Sequence, residues 1–217
     1  SAARRALDHV PPQPIPAHAP PDVRQQIECL YAVSGRVRRG AMDALGRMGR
    51  RAAPAIPFLV HRLKDDRDFE PRSWSGSGPW SGNPQTLAQA ATDALVRIGR
   101  PAIDPLLAAM EDKDPRVRGR ALEAICRIDG SHTEQGQSAG FVTAALEDED
   151  AYLRAIAVRE IGYARDARAV GALARALGDK DPMVAQAAGS ALARIGRAGV
   201  GPLLDAATTG GADARNL

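Results

Sequence analysis

The side chains that most often do chemistry in proteins are scattered along this chain. Its histidines and cysteines show neither the spacing of metal ligands nor a CxxC pair. The carboxylates gather in short turn segments, and no serine, histidine and carboxylate are arranged as a nucleophile with its base. We therefore expect no catalytic site, no metal and no cofactor. The residues concerned are His9, His18, His61, His132, Cys29 and Cys126.

Arginines, in contrast, recur at regular intervals. They lie at or near the ends of predicted helices, at turns that would align along one edge of a stacked array. Guanidinium groups next to helix N-termini suit an anionic partner such as an acidic protein or a nucleic-acid backbone. The structural alternative is that arginine near a helix C-terminus complements the helix dipole. The arginines assigned to this anion-binding ridge are Arg47, Arg50, Arg51, Arg97, Arg100, Arg194 and Arg197.

Large aromatic side chains form a second candidate site. Phe69, Trp74 and Trp80 lie in a Gly- and Ser-rich segment, residues 66–84, which contains both tryptophans of the chain. Rings displayed among small residues are typical of binding loops. We therefore predict a protein-binding surface there, to which His61 and Arg62 contribute from the preceding helix. The alternatives left open are that the rings fold back onto the neighbouring helices or that the segment is disordered.

The elements that carry these residues follow a repeated pattern. The phrase Val-Arg-x-x-Ala-x-x-x-Leu-x-x-Met-Gly, from Val37 to Gly49, returns four more times with related residues at the same spacing. Apolar residues four, four and three positions apart form one stripe of a helix. Each phrase is followed by a second amphipathic helix, and neither helix can bury its stripe alone. This predicts an all-α fold, a right-handed α-α superhelix of about five helical-hairpin repeats.

The predicted layout places these repeats between two less regular ends. A Pro-rich extended arm is expected over residues 1–21, and the array over residues 22–207, beginning with a capping helix that has Asp22 as N-cap. A flexible tail is expected over residues 208–217. Gly49 and Gly99 are 50 residues apart, whereas the later intervals are 30, 36 and 31 residues, so residues 66–84 form an insertion. The repeats are predicted over 36–63, 86–110, 115–146, 152–177 and 182–207.

The composition narrows the class of protein. The chain is 44% hydrophobic and 25% charged, with a net charge of +3 and a pI near 9.2, which favours an anionic partner only weakly. No uncharged apolar run is long enough to predict a membrane span, and both cysteines are expected to be reduced and buried. A cytoplasmic location is expected. The start at Ser1 and the Pro-rich arm leave an exported form as the alternative.

One phrase carries a resemblance to a known family. Asp-Pro-x-Val-Arg…Ala…Leu-x-x-Ile-Gly, followed by a Pro-containing second helix, resembles the HEAT-like repeat of the phycobilisome-lyase type over residues 36 to about 207. Repeats one and four lack the Asp-Pro entry. The resemblance implies functions that range from chromophore lyases to assembly scaffolds. The arginine of the phrase is kept at Arg38, Arg118 and Arg154, but Ala88 and Ala185 replace it in repeats two and five.

These observations favour a non-catalytic protein-binding scaffold or assembly subunit. The first alternative is an enzyme or enzyme subunit resembling bilin lyases. The second is a nucleic-acid-binding protein resembling HEAT-like DNA glycosylases, for which no base-excision carboxylate can be assigned. The two ends of the array are also expected to leave surface free for docking within a larger complex.

Overall fold

The computed structural model describes residues 11–65, 86–129, 139–165 and 167–213, and the regular elements in these ranges are helices. The chain divides into two compact units, Ser1–Ile128 and Asp129–Leu217. An all-α fold built from helical-hairpin repeats is therefore confirmed. In the described residues no helix is both long and apolar enough to cross a membrane.

The helices of the first unit follow the predicted repeats closely. Short 3-10 helices over Gly49–Ala55, Arg62–Lys64 and Arg100–Ala102 extend or join them. The sixth helix ends one residue past the boundary between the units. The α-helices are α1 (Pro21–Cys29), α2 (Gly35–Met48), α3 (Ile56–His61), α4 (Leu87–Ile98), α5 (Ile103–Ala109) and α6 (Pro115–Asp129).

The second unit continues the same alternation of long and short helices. Its last helix runs past Ala207, where the sequence predicts an end, so part of the segment expected as a tail belongs to this helix. Short 3-10 helices cover Ala167–Ala169 and Arg197–Gly199. The α-helices are α7 (Ala139–Ala145), α8 (Ala151–Ala164), α9 (Val170–Ala176), α10 (Pro182–Ile195) and α11 (Val200–Asp213).

The apolar stripe of the repeated phrase forms the core, as predicted. The alanine of the phrase is buried in all five repeats, because helices pack too closely there for a larger side chain. Val37, the first residue of the stripe in repeat one, is the exception and is 44% exposed. The buried alanines are Ala41, Ala91, Ala121, Ala157 and Ala188.

The turns between repeats are built by pairs of aspartates two residues apart. In each pair the first carboxylate accepts a hydrogen bond of 2.8 Å from the backbone N–H of the second aspartate. The second carboxylate accepts from the N–H two residues further on, which satisfies a free donor at the start of the next helix. These caps explain why acidic residues concentrate here. The pairs are Asp112 and Asp114, Asp148 and Asp150, and Asp179 and Asp181.

The arginine of the repeated phrase closes the same turns from the other side. Arg38, Arg118 and Arg154 each point an Nη1 donor back at the two carbonyl oxygens six and five residues earlier in the chain. The donor–acceptor distances run from 2.6 Å for Arg38 with the Ala32 carbonyl to 3.4 Å for Arg118 with the Lys113 carbonyl. We call this arrangement the arginine clamp, and it gives the arginine of the repeated phrase a structural role.

The described part of the predicted arm packs against the first unit. Ala19 is buried, Ile15 contacts the core, and Arg24 donates hydrogen bonds to two carbonyl oxygens of the arm. Helix α1 begins one residue before Asp22 with Pro20 at the N-cap, so the prediction of an Asp22 cap is wrong. Asp22 lies in the first turn instead and pairs with Arg51 at 3.0 Å.

Candidate binding surfaces

The insertion has a defined root, where the chain leaves the first repeat and enters the second. The backbone N–H of Ala88 donates a hydrogen bond of 3.2 Å to the carbonyl oxygen of Asp65. Arg120, from the third repeat, donates through Nε to the Leu63 carbonyl oxygen at 3.2 Å. The two ends of the insertion therefore meet at one point, and three repeats are tied together there.

The predicted aromatic anchors of the insertion, Phe69, Trp74 and Trp80, lie outside the described residues. His61 and Arg62 lie at its root. Arg62 is 3% exposed, and its Nη1 donates to the Asp65 carboxylate at 2.8 Å. Its guanidinium also lies 4.1 Å from the centroid of the Tyr31 ring. With both contacts made inside the protein, the main role of Arg62 is to hold the root together.

An aromatic cluster lies beside this root. The Tyr31 ring contacts Phe58 edge-on, with centroids 6.5 Å apart, and stacks on His61 at 6.4 Å. On the outer side, Lys64 Nζ lies 2.9 Å from Nε2 of His61. Tyr31 belongs to neither of the predicted sites, although a tyrosine just after a capping helix is notable in a chain that is 4% aromatic. Aromatic and cationic groups are thus concentrated where the insertion begins.

Burial of Tyr31 raises the pKa of its phenol to about 12, and the nearby positive charge of Arg62 opposes this shift. A raised pKa means that the folded state holds the proton more tightly than the unfolded state. Stability from this group is therefore complete below pH 10 and is lost as the pH rises toward 12.

We expect the thermal midpoint of the first unit to fall more steeply for the wild type than for Tyr31→Phe above pH 10. The phenylalanine has no proton to lose, so this pH-dependent loss is removed. Differential scanning calorimetry between pH 9 and pH 11.5 measures the difference, with Tyr163→Phe, at an exposed tyrosine of the second unit, as the control. Equal slopes for all three proteins would contradict the role given to burial of Tyr31.

The arginines predicted for the ridge lie at exposed positions in the first unit. The 3-10 helices that follow α2 and α4 are in contact, so the turns of repeats one and two are neighbours. Within the described ranges no ion pair is recorded for Arg47, Arg50 or Arg100. We call the following set the arginine edge of the first unit: Arg47, Arg50, Arg51, Arg97 and Arg100.

Some ridge positions also link neighbouring repeats. Arg97 reaches back to Asp43 in the preceding first helix, with 3.9 Å between the charged groups. Arg127 reaches Asp93 in the same way at 2.7 Å, and it occupies the repeat position of Arg97. The sequence did not indicate Asp43 and Asp93 as the partners of these arginines, because its spacing suggests ion pairs within one helix, between residues four apart. The structure shows pairing between helices of successive repeats.

The two ridge residues of the second unit are also exposed. The Arg194 guanidinium lies 4.7 Å from the centroid of the Tyr163 ring in the preceding first helix. Arg197 lies at the start of the short 3-10 helix that leads into α11. One ridge running through all repeats stays a prediction. Among the described residues no group of three or more potential ligands is placed to hold a metal ion.

Hairpins with a buried alanine stripe and capped turns define a helical-repeat protein. Sequence comparison identifies the kind of repeat: residues 37–65 match the PBS lyase HEAT-like repeat family, and residues 138–216 match the family described as HEAT repeats. The chain therefore contains HEAT-like repeats in these two segments. No curated protein matches it significantly in sequence.

Several solved structures are similar in fold. An engineered protein is 18% identical, with a TM-score of 0.40 over 86% of this chain and 85% of the other. A designed armadillo repeat protein in complex with the peptide (KR)4 is 19% identical, with a TM-score of 0.39 over 85% and 87%. The CpcE–CpcF complex of phycocyanin lyase from Nostoc sp. PCC7120 is 18% identical, with a TM-score of 0.36 over 84% and 80%.

Proposed function

We propose that this HEAT-repeat array is a non-catalytic protein-binding scaffold or assembly subunit. Its insertion, residues 66–84, contacts the partner through Phe69, Trp74 and Trp80. The observation that carries the proposal is the closure of the root, where the Asp65 carbonyl oxygen accepts from the Ala88 N–H at 3.2 Å. Helix packing continues from repeat one to repeat two beneath this bond, so the array does not need the inserted residues to connect its repeats.

Burial around the root supports separate roles for the insertion, which contacts the partner, and for the helices, which connect the repeats. Leu63 lies just before the insertion and Leu87 and Ala88 just after it, and all three are buried in the first unit. Residues on both sides of the insertion therefore make apolar contacts between the repeats. A segment that the core does not require is free to serve recognition, and aromatic side chains are well suited to it because they bury a large area with few rotatable bonds.

Replacing residues 66–84 by a short glycine linker is expected to leave the thermal midpoint within about 3 °C of the wild type. The root is already closed by backbone hydrogen bonding, and a shorter loop costs less entropy to close. Thermal unfolding followed by circular dichroism measures this. If the two tryptophans instead cover the repeats, the deletion removes buried rings. The free energy of unfolding should then fall as for Trp→Ala in a core, by about 3 kcal/mol for each ring.

The proposal is tested by isolating the protein from its source under mild conditions and identifying a stoichiometric partner by mass spectrometry. The double variant Trp74→Ala/Trp80→Ala should then lose that partner while keeping the wild-type circular dichroism spectrum. The matched control is Phe141→Ala, at an exposed aromatic residue of the second unit, which should keep the partner. Full retention by the double variant would remove the insertion from the proposal.

The arginine edge is a second proposed contact, supported by the exposure of its five guanidinium groups. Such a surface suits an acidic segment of a protein partner, and the binding should weaken as salt is raised. A nucleic-acid role would instead require duplex DNA to bind at about 50 mM salt, where phosphate contacts are strongest. The bilin-lyase alternative requires bilin to bind or to be transferred when the protein is mixed with apo-phycobiliprotein.

A further inference from the structure

The first unit begins with half a repeat. Arg38 clamps the carbonyls of Ala32 and Val33 after α1, just as Arg118 clamps the turn after α5. Since α5 is the second helix of its repeat, α1 occupies the place of a second helix too. Among the described residues no first helix precedes α1, so within them α2 has a packed first helix on one side only.

Two later first helices, α4 and α10, show which face such a neighbour covers. In α4 this face is formed by residues three or four positions apart, and its three apolar residues are buried. The residues are Leu87, Ala90, Ala94 and Arg97. A Cβ on Gly46 of α2 would lie 3.2 Å from Ala94 Cα and 3.1 Å from Arg97 Cδ, so this face of α4 packs directly on α2. In the second unit, Gly162 of α8 meets Ala191 of α10 in the same way.

The equivalent face of α2 is open. Its residues are Val37, Gly40, Ala44 and Arg47, and we call this set the open face. Val37 is 44% exposed, and a Cβ on Gly40 would meet no atom within 4 Å. Val33, in the turn before α2, adds a further apolar side chain that is 82% exposed. Ala44 is half-buried, and the rest of this surface, whose counterpart on α4 is buried, is presented to solvent.

Arg47, at one end of the open face, indicates that the docking partner carries an acidic residue. Arg97 and Arg127, at the same repeat position as Arg47, bind Asp43 and Asp93 of the preceding first helix. Arg47 is exposed, and no ion pair is recorded for it in the part of the chain that the structure describes. In α2 the acid Asp43 is followed three residues later by Gly46, which makes room for the stem of Arg97.

From this internal template we propose that the open face docks an α-helix of another polypeptide. That helix carries Asp or Glu at one position, which pairs with Arg47, and Gly or Ala three residues later, which lets the helices approach closely. The inference goes beyond the insertion-based function proposed above, because it concerns a different surface and does not need the tryptophans.

In a second copy of this chain, neither of the described helices α2 and α10 offers the required surface. The Asp43–Gly46 side of α2 is covered by α4, as the Gly46 contacts show. At the other end of the array, α10 has Ser190 and Ala193 at the same two repeat positions, and both are exposed. The small residue is present there but the carboxylate is missing, so the charge of Arg47 selects a different partner.

The test uses the full chain and a lactam-bridged helical peptide with the α2 sequence, residues 36–48, which carries Asp43 and Gly46. We expect the peptide to shift the NMR signals of Val37, Gly40 and Ala44 in the wild-type protein. Arg47→Ala in the protein, or Asp43→Asn in the peptide, should weaken binding about threefold, as expected for loss of an exposed ion pair. Combining Arg47→Glu in the protein with Asp43→Lys in the peptide should restore it.

Folding is controlled with Gly40→Leu, which blocks the face at a site with free space and should keep the wild-type melting temperature while abolishing peptide binding. The inference is overturned if the peptide causes no shifts at the open face, or if wild-type and Asp43→Asn peptides bind equally. It is also overturned if the wild-type protein self-associates in sedimentation and Arg47→Glu abolishes this. Trp74→Ala/Trp80→Ala should bind the peptide normally, so the two proposals fail separately.

Discussion

Replacing Arg154 by alanine is expected to lower the free energy of unfolding of the second unit by about 3 kcal/mol. Arg154 is 7% exposed and clamps the turn before α8 through the carbonyl oxygens of Asp148 and Glu149, at 2.9 and 3.0 Å. Its Nε and Nη2 also donate to both carboxylate oxygens of Asp179, each at 2.8 Å. One side chain therefore holds two successive inter-repeat turns.

The loss of stability is large because the alanine removes the donors of groups that remain in the folded protein. Asp179 is shielded from water, and without the guanidinium its carboxylate keeps a charge that solvent cannot stabilise well. Loss of the clamp also leaves two turn carbonyls without their donor. Chemical denaturation measures the change, and Arg175→Ala, at an exposed arginine of α9, is the matched control and should cost less than about 0.5 kcal/mol.

The same pair predicts a pH dependence. The hydrogen bonds from Arg154 hold the pKa of Asp179 below its usual value near 3.8. A lowered carboxyl pKa contributes stability above the unfolded value, and this is lost as the pH falls through the folded one. The stability difference between wild type and Arg154→Ala should therefore narrow below about pH 4. A constant difference from pH 7 to pH 2 would argue against the pair as its source.

Gly162→Ala is expected to destabilise the second unit by about 2 kcal/mol, although alanine is normally the better helix former. A Cβ at Gly162 would lie 2.6 Å from the Cβ and 2.8 Å from the Cα of Ala191. Because the second atom belongs to the backbone, no side-chain rotation relieves the clash. Helices α8 and α10 must move apart, which loosens the apolar contacts that they share.

The matched control is Gly171→Ala in α9, where an added Cβ meets no atom within 4 Å. This variant should be neutral or slightly more stable. Thermal and urea unfolding of both variants and of the wild type measure these changes in stability. If Gly162→Ala unfolds at the wild-type temperature, the helices are less closely packed than the distances indicate.

Much of the fold is readable from the sequence because one physical requirement recurs. Each first helix must bury the same stripe, so the alanines of the repeated phrase identify the core, and the buried Ala41 and Ala188 agree with this at opposite ends of the array. The Pro11–Pro20 segment is harder to interpret, because proline content predicts an extended backbone but not whether it packs. Two of its apolar residues, Ile15 and Ala19, make the contacts.

The candidate sites were less predictable because exposure is a tertiary property. Arg62 and Arg47 look alike in the sequence, since both are arginines near a helix end. One is buried against Tyr31 and Asp65, and the other is exposed. The partner of Arg97 was missed for a related reason, since Asp43 lies 54 residues away along the chain. Only the stacking of repeats brings such residues together.

The closed root of the insertion has a consequence for how such a protein acquires new specificity. Because Asp65 and Ala88 already meet through a backbone hydrogen bond, a replacement segment needs only ends that converge at this point. Doubling the length of such a segment adds only about 0.6 kcal/mol of closure entropy. Foreign sequences can therefore be grafted between these residues while the helices beneath stay the same.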